Sequence, residues 1–297
     1  MIFFCDGYKN KLRLAVVSSL MTIIPSLCVA APIATVGLSG GIEAFRLKEF
    51  DSSGARLLSE TGNLYVTTAF LDDGDKYGLE KSLHYHLEAS VYWGQVDYDG
   101  ISQSIDPSQS NLPLMSQTEY RGGRTEAMLG YRLKTLNSGL ILELIGGLGW
   151  DGWNRRIDSA YSSNGTYVSG IEETYNTFYG RLALGLNNMF KSRWHDQLII
   201  GIKAPFNITE DINLTAVGYD NDLTLSPGNH ISGFIYYQLE PQPENNKAGN
   251  PVIRIYYDGF RFDPSKAKTV VKNGTPIQVW QPETHIDILG LQVGYRF

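Results

Sequence analysis

The chain is 297 residues long, with a net charge of −6, 42% hydrophobic residues, 18 tyrosines and 31 glycines. An acidic chain lacks the basic face that a nucleic-acid partner requires, and no apolar run long enough for a spanning helix follows the N-terminal segment. What remains is a strand-rich chain of one or two domains.

The N-terminus reads as an export signal. Lys9, Lys11 and Arg13 lead into the apolar run 14–27, and "SLCVAAP" places cleavage after Ala30. The expected organisation is a signal peptide at 1–30 and a single mature domain at 31–297. A lipoprotein reading at Cys28 is weakened by the bulky Leu27 before it. Both cysteines, Cys5 and Cys28, leave with the signal, so packing and paired strands must supply the stability. Loss of three cations and one anion takes the net charge from −6 to −8.

Beyond the signal, hydrophobicity alternates with a period of two, the mark of strands with one oily face. The predicted strands are 34–47, 62–71, 82–97, 119–134, 140–153, 173–187, 196–206, 230–240, 251–262 and 285–297. In the third, Leu83, Tyr85, Leu87, Ala89, Val91 and Trp93 share the oily face, against His84, His86, Glu88, Ser90 and Tyr92. The connections alternate in length: 48–61 moderate, 72–81 short, 98–118 long, 135–139 very short, 154–172 long, 188–195 short, 207–229 long, 241–250 moderate and 263–284 long. Tight turns at one end and long loops at the other, on an even number of strands, predict an all-β chain: a transmembrane antiparallel up-and-down β-barrel of about ten strands. A soluble exported sandwich is the competing reading.

The last strand carries the sharpest motif. Leu289, Leu291, Val293, Tyr295 and Phe297 alternate to an aromatic C-terminus. In this the chain resembles Gram-negative outer-membrane β-barrel proteins. The resemblance implies residence in the outer membrane, contact with its lipid and lipopolysaccharide, and recognition of Phe297 and Tyr295 by the barrel assembly machinery.

Charges opposite the oily faces (Glu88, Glu126, Arg132, Glu143, Arg181, Lys203 and Arg254) are expected to fill a narrow lumen as salt bridges. His84, His86 and Glu88 alternate along one strand. Zinc is one use of such a set, but a lumen hydrogen-bond network suits three ligands on a single element better. No metal and no cofactor is therefore expected. Ser90 shares the His86 face, as an internal pair. The Asn-X-Ser/Thr sequons at 164–166, 207–209, 213–215 and 273–275 carry no meaning in a bacterial envelope protein.

Asp97 and Asp99 in "VDYDG" close the third strand, and "GYDNDLTLSPGNH" offers Asp220, Asp222 and His230 on a later loop. Their placement resembles the omptins, ten-stranded outer-membrane proteases, which set an acidic pair beside an Asp–His pair. Here Asp222 stands where the omptin pattern has histidine, and His230 follows eight residues later. Without a base in place the mechanism fails, and Asp/Asn/Gly loop chemistry accounts for these residues. His285 is the other histidine near the long loops. Arg155 and Arg156, in "DGWNRRIDS", suit lipopolysaccharide phosphates or simple interface anchoring. The expected function is thus an integral outer-membrane barrel with a non-catalytic surface-binding or envelope-structural role. An omptin-like endopeptidase and a small pore are the alternatives, and the external ligand is unknown.

Overall fold

The computed structural model describes residues 34–73, 83–101, 112–135, 139–189, 194–241 and 249–297. The expected signal peptide lies outside them. Strands β1 (Ala34–Phe50), β2 (Arg56–Asp73), β3 (Leu83–Ile101), β4 (Pro113–Thr135) and β5 (Ile141–Ile157) come first. A small hairpin, β6 (Ala160–Tyr161) and β7 (Tyr167–Val168), leads to β8 (Glu172–Asn187) and β9 (Trp194–Ile212). A 3-10 turn (Thr215–Val217), β10 (Leu223–Leu225) and β11 (Gly228–His230) precede β12 (Ser232–Pro241) and β13 (Asn250–Asp263). The hairpin β14 (Lys268–Lys272) and β15 (Thr275–Val279) precedes β16 (Glu283–Arg296).

Ten of these strands close a ring in the order β1, β2, β3, β4, β5, β8, β9, β12, β13, β16, and every pairing is antiparallel. The closing pair runs from Gly37 opposite Arg296 to Phe50 opposite Glu283. Closure leaves no free edge, which is what allows a sheet to sit in lipid. All ten predicted strands are present, and most extend further toward the long loops. That extension shortens the first long-end connection: a turn at 51–55 stands where a moderate loop was expected. Asp51 Oδ1 accepts from Ser53 N (2.8 Å), Ser53 Oγ (2.6 Å) and Ala55 N (2.9 Å), and Gly54 supplies a φ of 82°. The Ser53 hydroxyl and these backbone donors hold the Asp51 carboxyl below its usual range.

The outward face has two zones. Leu289, Leu291, Val293 and Tyr295 on β16 are exposed, and the outward series turns polar at Asp287. The same switch comes at Arg46 on β1 above Leu38 and Ile42, at Gln95 on β3 above Val91 and Trp93, and at Arg121 on β4 above Leu129 and Tyr131. Asn63 stands opposite Gln95 in register, and the outward series of β8 and β9 turns polar at Asn176 beyond Phe178 and at Asn207 beyond Phe206. At ~3.4 Å per residue the 19 residues of β3 run about 65 Å, well beyond an apolar band about 25 Å tall. The membrane-crossing segments therefore end at these polar positions, and the wall rises above them.

Aromatic rings fill much of the interior and lie against glycines on the next strand. Tyr256 faces Gly290, Tyr92 faces Gly122 and Tyr179 faces Gly149 in register. A Cβ on these glycines would come within 2.1, 2.4 and 2.4 Å of the ring atoms. Gly290→Val is expected to displace Tyr256 and cost about 1–3 kcal/mol in urea unfolding. Gly40→Val is the control, because a Cβ there meets nothing closer than a carbonyl oxygen at 3.8 Å. Equal stability of the two variants would contradict the seating.

Candidate functional site

Strand alternation sends the odd residues of β5 and β8 and the even residues of β3 and β4 inward. The seven inner charges expected from sequence all face inward, on β3, β4, β5, β8, β9 and β13, and each has a partner. At the end where β1 begins and β16 finishes, Arg296 bridges Asp72 (2.6 Å) and Glu240 (3.1 Å). Arg254 pairs with Glu88, and the His86 ring sits between Asp72 and Glu88. Glu143 faces His84 (3.6 Å) and Arg132 (3.8 Å). Midway, Asp258 joins Lys203 (2.6 Å) and Arg181 (2.7 Å), and Arg181 also holds Glu126 (2.8 Å). Beside them Arg124 joins Glu43 (3.0 Å) and Asp151 (3.5 Å). A cavity of about 40 Å³ lies between the first two groups, touched by His84, His86, Glu88, Gln238 and Arg254, with room for about three waters.

The upper interior differs from a purely ionic plug. Phe45, Leu64, Val66, Val96, Trp153 and Phe262 belong to a buried apolar core inside the barrel. Trp153 stacks on Tyr175 at 4.8 Å, and Lys203 Nζ sits 3.6 Å from the Phe260 ring centre. Interior chemistry is accordingly limited. Ser90 Oγ bonds Thr68 Oγ1 (2.8 Å), so its hydroxyl is engaged away from an imidazole base. Among the described residues no group of three or more His, Cys, Asp or Glu is arranged to hold a metal ion.

The acidic residues of the omptin comparison do not converge. Asp97 and Asp99 point outward above the apolar band, and Asp99 pairs with Arg56 at 3.0 Å. Asp220 donates its backbone N–H to Val271 O (2.9 Å), and Asp222 Oδ1 caps Thr215 through N (3.0 Å) and Oγ1 (2.8 Å). His230 bonds Asp263 (3.0 Å) beside β13, and His285 bonds Glu283 (2.8 Å). From β13 to β3 is four strand spacings, roughly 19 Å along the wall.

The two arginines read together from sequence separate. Arg155 turns inward and is buried among Glu173 (2.7 Å), Glu60 (2.9 Å) and Glu49 (3.1 Å), so it reaches no lipid. Arg156 faces out and holds Glu119 at 2.6 Å. Arg121, which the sequence reading passed over, joins it: its Nε donates to the other Glu119 oxygen at 2.7 Å. Side-chain exposures of 57% and 72% leave both guanidinium groups room for a further acceptor. Trp93 stands opposite Arg121 in register, and these residues with Gln95 line an open concavity at the top of the apolar band. The signal available in the sequence was the i, i+2 pair Glu119 and Arg121, on the strand beside Arg156.

No protein-family model and no curated protein matches the chain. Among solved structures, the outer membrane protease OmpT from Escherichia coli is similar with a TM-score of 0.56 and 9% identity, over 89% of this chain and 96% of that one. The translocator domain of the autotransporter NalP from Neisseria meningitidis gives 0.38 and 8% identity over 97% of each chain. The P. putida toluene transporter TodX gives 0.32 and 12% over 91% of each. At 9% identity the OmpT likeness is one of fold: a ten-stranded outer-membrane barrel.

Loss of one member of the mid-barrel network should be costly. Asp258→Ala leaves Lys203 and Arg181 with Glu126 as their shared anion, and is expected to lower unfolding stability by about 3–5 kcal/mol. A cost below about 1 kcal/mol would mean that water, rather than Asp258, satisfies those cations.

Proposed function

We propose that the chain is exported with residues 1–30 removed and inserted in the outer membrane, where it serves as a non-catalytic envelope component. Its long loops face outward, and its wall is fixed to lipopolysaccharide through Arg121 and Arg156. The observation that carries the non-catalytic reading is the separation of the acidic and histidine candidates. Asp97 and Asp99 lie on the outside of the wall on β3, five strand spacings from His230, which pairs with β13 on its β12 side. General-base catalysis needs the base within hydrogen-bond reach of the nucleophilic water. The OmpT-like fold by itself supplies a scaffold and no activity.

Support for the lipid reading comes from charge and position. Two guanidinium groups share the Glu119 carboxylate at the level where the outward face turns from apolar to polar, while Glu172, opposite Arg156 in register, accepts from Asn154. Phosphate accepts bidentate, charge-assisted bonds from such groups. A Trp at that level fits the interface belt.

Two experiments address this reading. Purified protein with lipopolysaccharide should leave peptides with dibasic sites uncleaved, and turnover lost on Asp97→Ala or His230→Ala would make the omptin-like alternative correct. The Arg121→Ala/Arg156→Ala double variant should bind lipopolysaccharide about tenfold more weakly, about 1.4 kcal/mol. Dephosphorylated lipopolysaccharide should bind the wild type as weakly. Unchanged binding in either arm would remove the phosphate contact.

The C-terminal address is tested separately. Phe297 N–H donates to Val36 O (2.8 Å), and its exposed ring packs edge-on against Tyr295 at 5.3 Å. Phe297→Asp should leave the chain unassembled, as loss of the heat-modifiable band on gels. Wild-type assembly of that variant would show that the terminal aromatic is no signal.

A further inference from the structure

The charged groups inside the barrel balance to within one at each level except the highest. Asp72, Glu88 and Glu240 meet Arg254 and Arg296, with His86 between them. Glu126 and Asp258 meet Arg181 and Lys203, and Glu43 and Asp151 meet Arg124. The highest group holds Glu49, Glu60, Glu173 and Glu210, all buried, and among the described residues Arg155 is the one cation bonded within it. These carboxylates stand beyond Arg46, Asn63, Asn176 and Asn207, where the wall has left the membrane band.

The same group fastens the segment that covers the barrel mouth. The side-chain amide of Gln281 lies between two of the acids: Nε2 is 3.3 Å from Glu49 Oε1, and with the amide turned over it is 3.0 Å from both Glu210 oxygens. Gln281 in turn bonds Ser265 through its backbone N–H (2.8 Å) and its carbonyl (2.9 Å). Between those two residues runs the β14–β15 hairpin. Its Val270 packs with Ile212, Leu214, Leu223 and Leu225 over the barrel, and Lys268 Nζ donates to Thr224 O at 2.5 Å. Ser265 and Gln281 are the two feet of this cap.

We propose that Glu49 and Glu210, the two acids of this group that hold Gln281, form a proton-operated clasp for the cap, closed when they hold protons and released as they ionise. The groups facing it come from every side. They are Glu49 of β1, Glu60 of β2, Tyr98 of β3, Thr118 and Tyr120 of β4, and Arg155 of β5. Glu173 and Tyr175 of β8, Glu210 of β9, and Gln281 with Thr284 complete the ring, and Phe260 and Phe262 of β13 add only apolar surface. Tyr120 donates to Glu60 and Tyr175 to Glu210 (2.9 Å), so the hydroxyl donors are already committed. Four buried carboxylates on one guanidinium repel each other at close range, and a proton is the ligand that removes the repulsion.

The direction with pH follows. Burial lifts the Glu49 carboxyl from 4.5 to about 7, outweighing Arg155 and the Gln281 amide, which both favour its ionised form, and burial together with Glu173 lifts Glu210 well above its ordinary value. A carboxyl raised in the closed state favours that state fully below its ordinary value. It gives up that contribution as pH rises through about 7.

Hydrogen exchange by mass spectrometry on the full-length mature barrel in lipid nanodiscs tests the clasp, after correction for the intrinsic pH dependence of exchange. Protection of 268–281 is expected to fall about tenfold between about pH 6 and about pH 8, while 251–258 on β13 stays constant. Glu49→Gln and Glu210→Gln, each checked for wild-type heat-modifiable migration, should keep 268–281 protected across that range. The proposal is overturned if wild-type protection of 268–281 tracks that of 251–258 at every pH. It is equally overturned if folded Gln variants lose protection with pH as the wild type does.

Discussion

A charged side chain on the inner wall of a ten-stranded barrel has few places to go, and the rest of the structure follows from that. The closed ring fixes which residues point inward, and the lumen is too narrow to hydrate each charge separately. Arg181 therefore reaches both Glu126 and Asp258, and Asp258 reaches Lys203 as well, so one network joins β4, β8, β9 and β13. Such a network ties strands that are not neighbours in the sheet. Removing one member strands the others, which is why buried pairs are more informative about specificity than about net stability.

Filling the lumen this way also governs the large side chains. Three tyrosines lie along the inner wall where the next strand presents a glycine, at Gly122, Gly149 and Gly290. Each hydroxyl is then aimed at a network carboxylate: Tyr92 at Asp151 (2.6 Å), Tyr179 at Glu126 (2.6 Å) and Tyr256 at Glu43. At these three pairs the tyrosines and glycines serve one feature. Ring and seat are paired across strands, and the hydroxyl supplies the hydrogen bond that a phenylalanine would lack.

Much of this was legible from alternation alone. All ten strands were, because a wall with lipid on one side and a packed lumen on the other imposes a period of two along its length. The seven inner charges were legible for the same reason. Arg155 was misplaced because it was grouped with Arg156 by adjacency, whereas consecutive residues of a strand face opposite sides. Carrying the alternation of β3 two and three steps past Trp93 would likewise have turned Asp97 and Asp99 outward. The aromatic and aliphatic core of the upper lumen, Leu64, Val66 and Val96 among it, was not legible. Apolar residues stand on both faces of β2, and on β3 Val96 continues the series of His84, His86 and Glu88, so the closed ring is what gathers them into a core. Nor could spacing reveal that Glu49, Glu60, Glu173 and Glu210 meet, since four different strands deliver them.

Among the described residues, paired charges and packed rings fill the lumen from the Arg296 group to the four glutamates. Planar-bilayer recording of the purified barrel measures this most directly. The account predicts no unitary current steps above the bare-bilayer baseline, in low or high salt. Reproducible open-channel steps, scaling with salt concentration as ion flow through a water-filled lumen does, would contradict it.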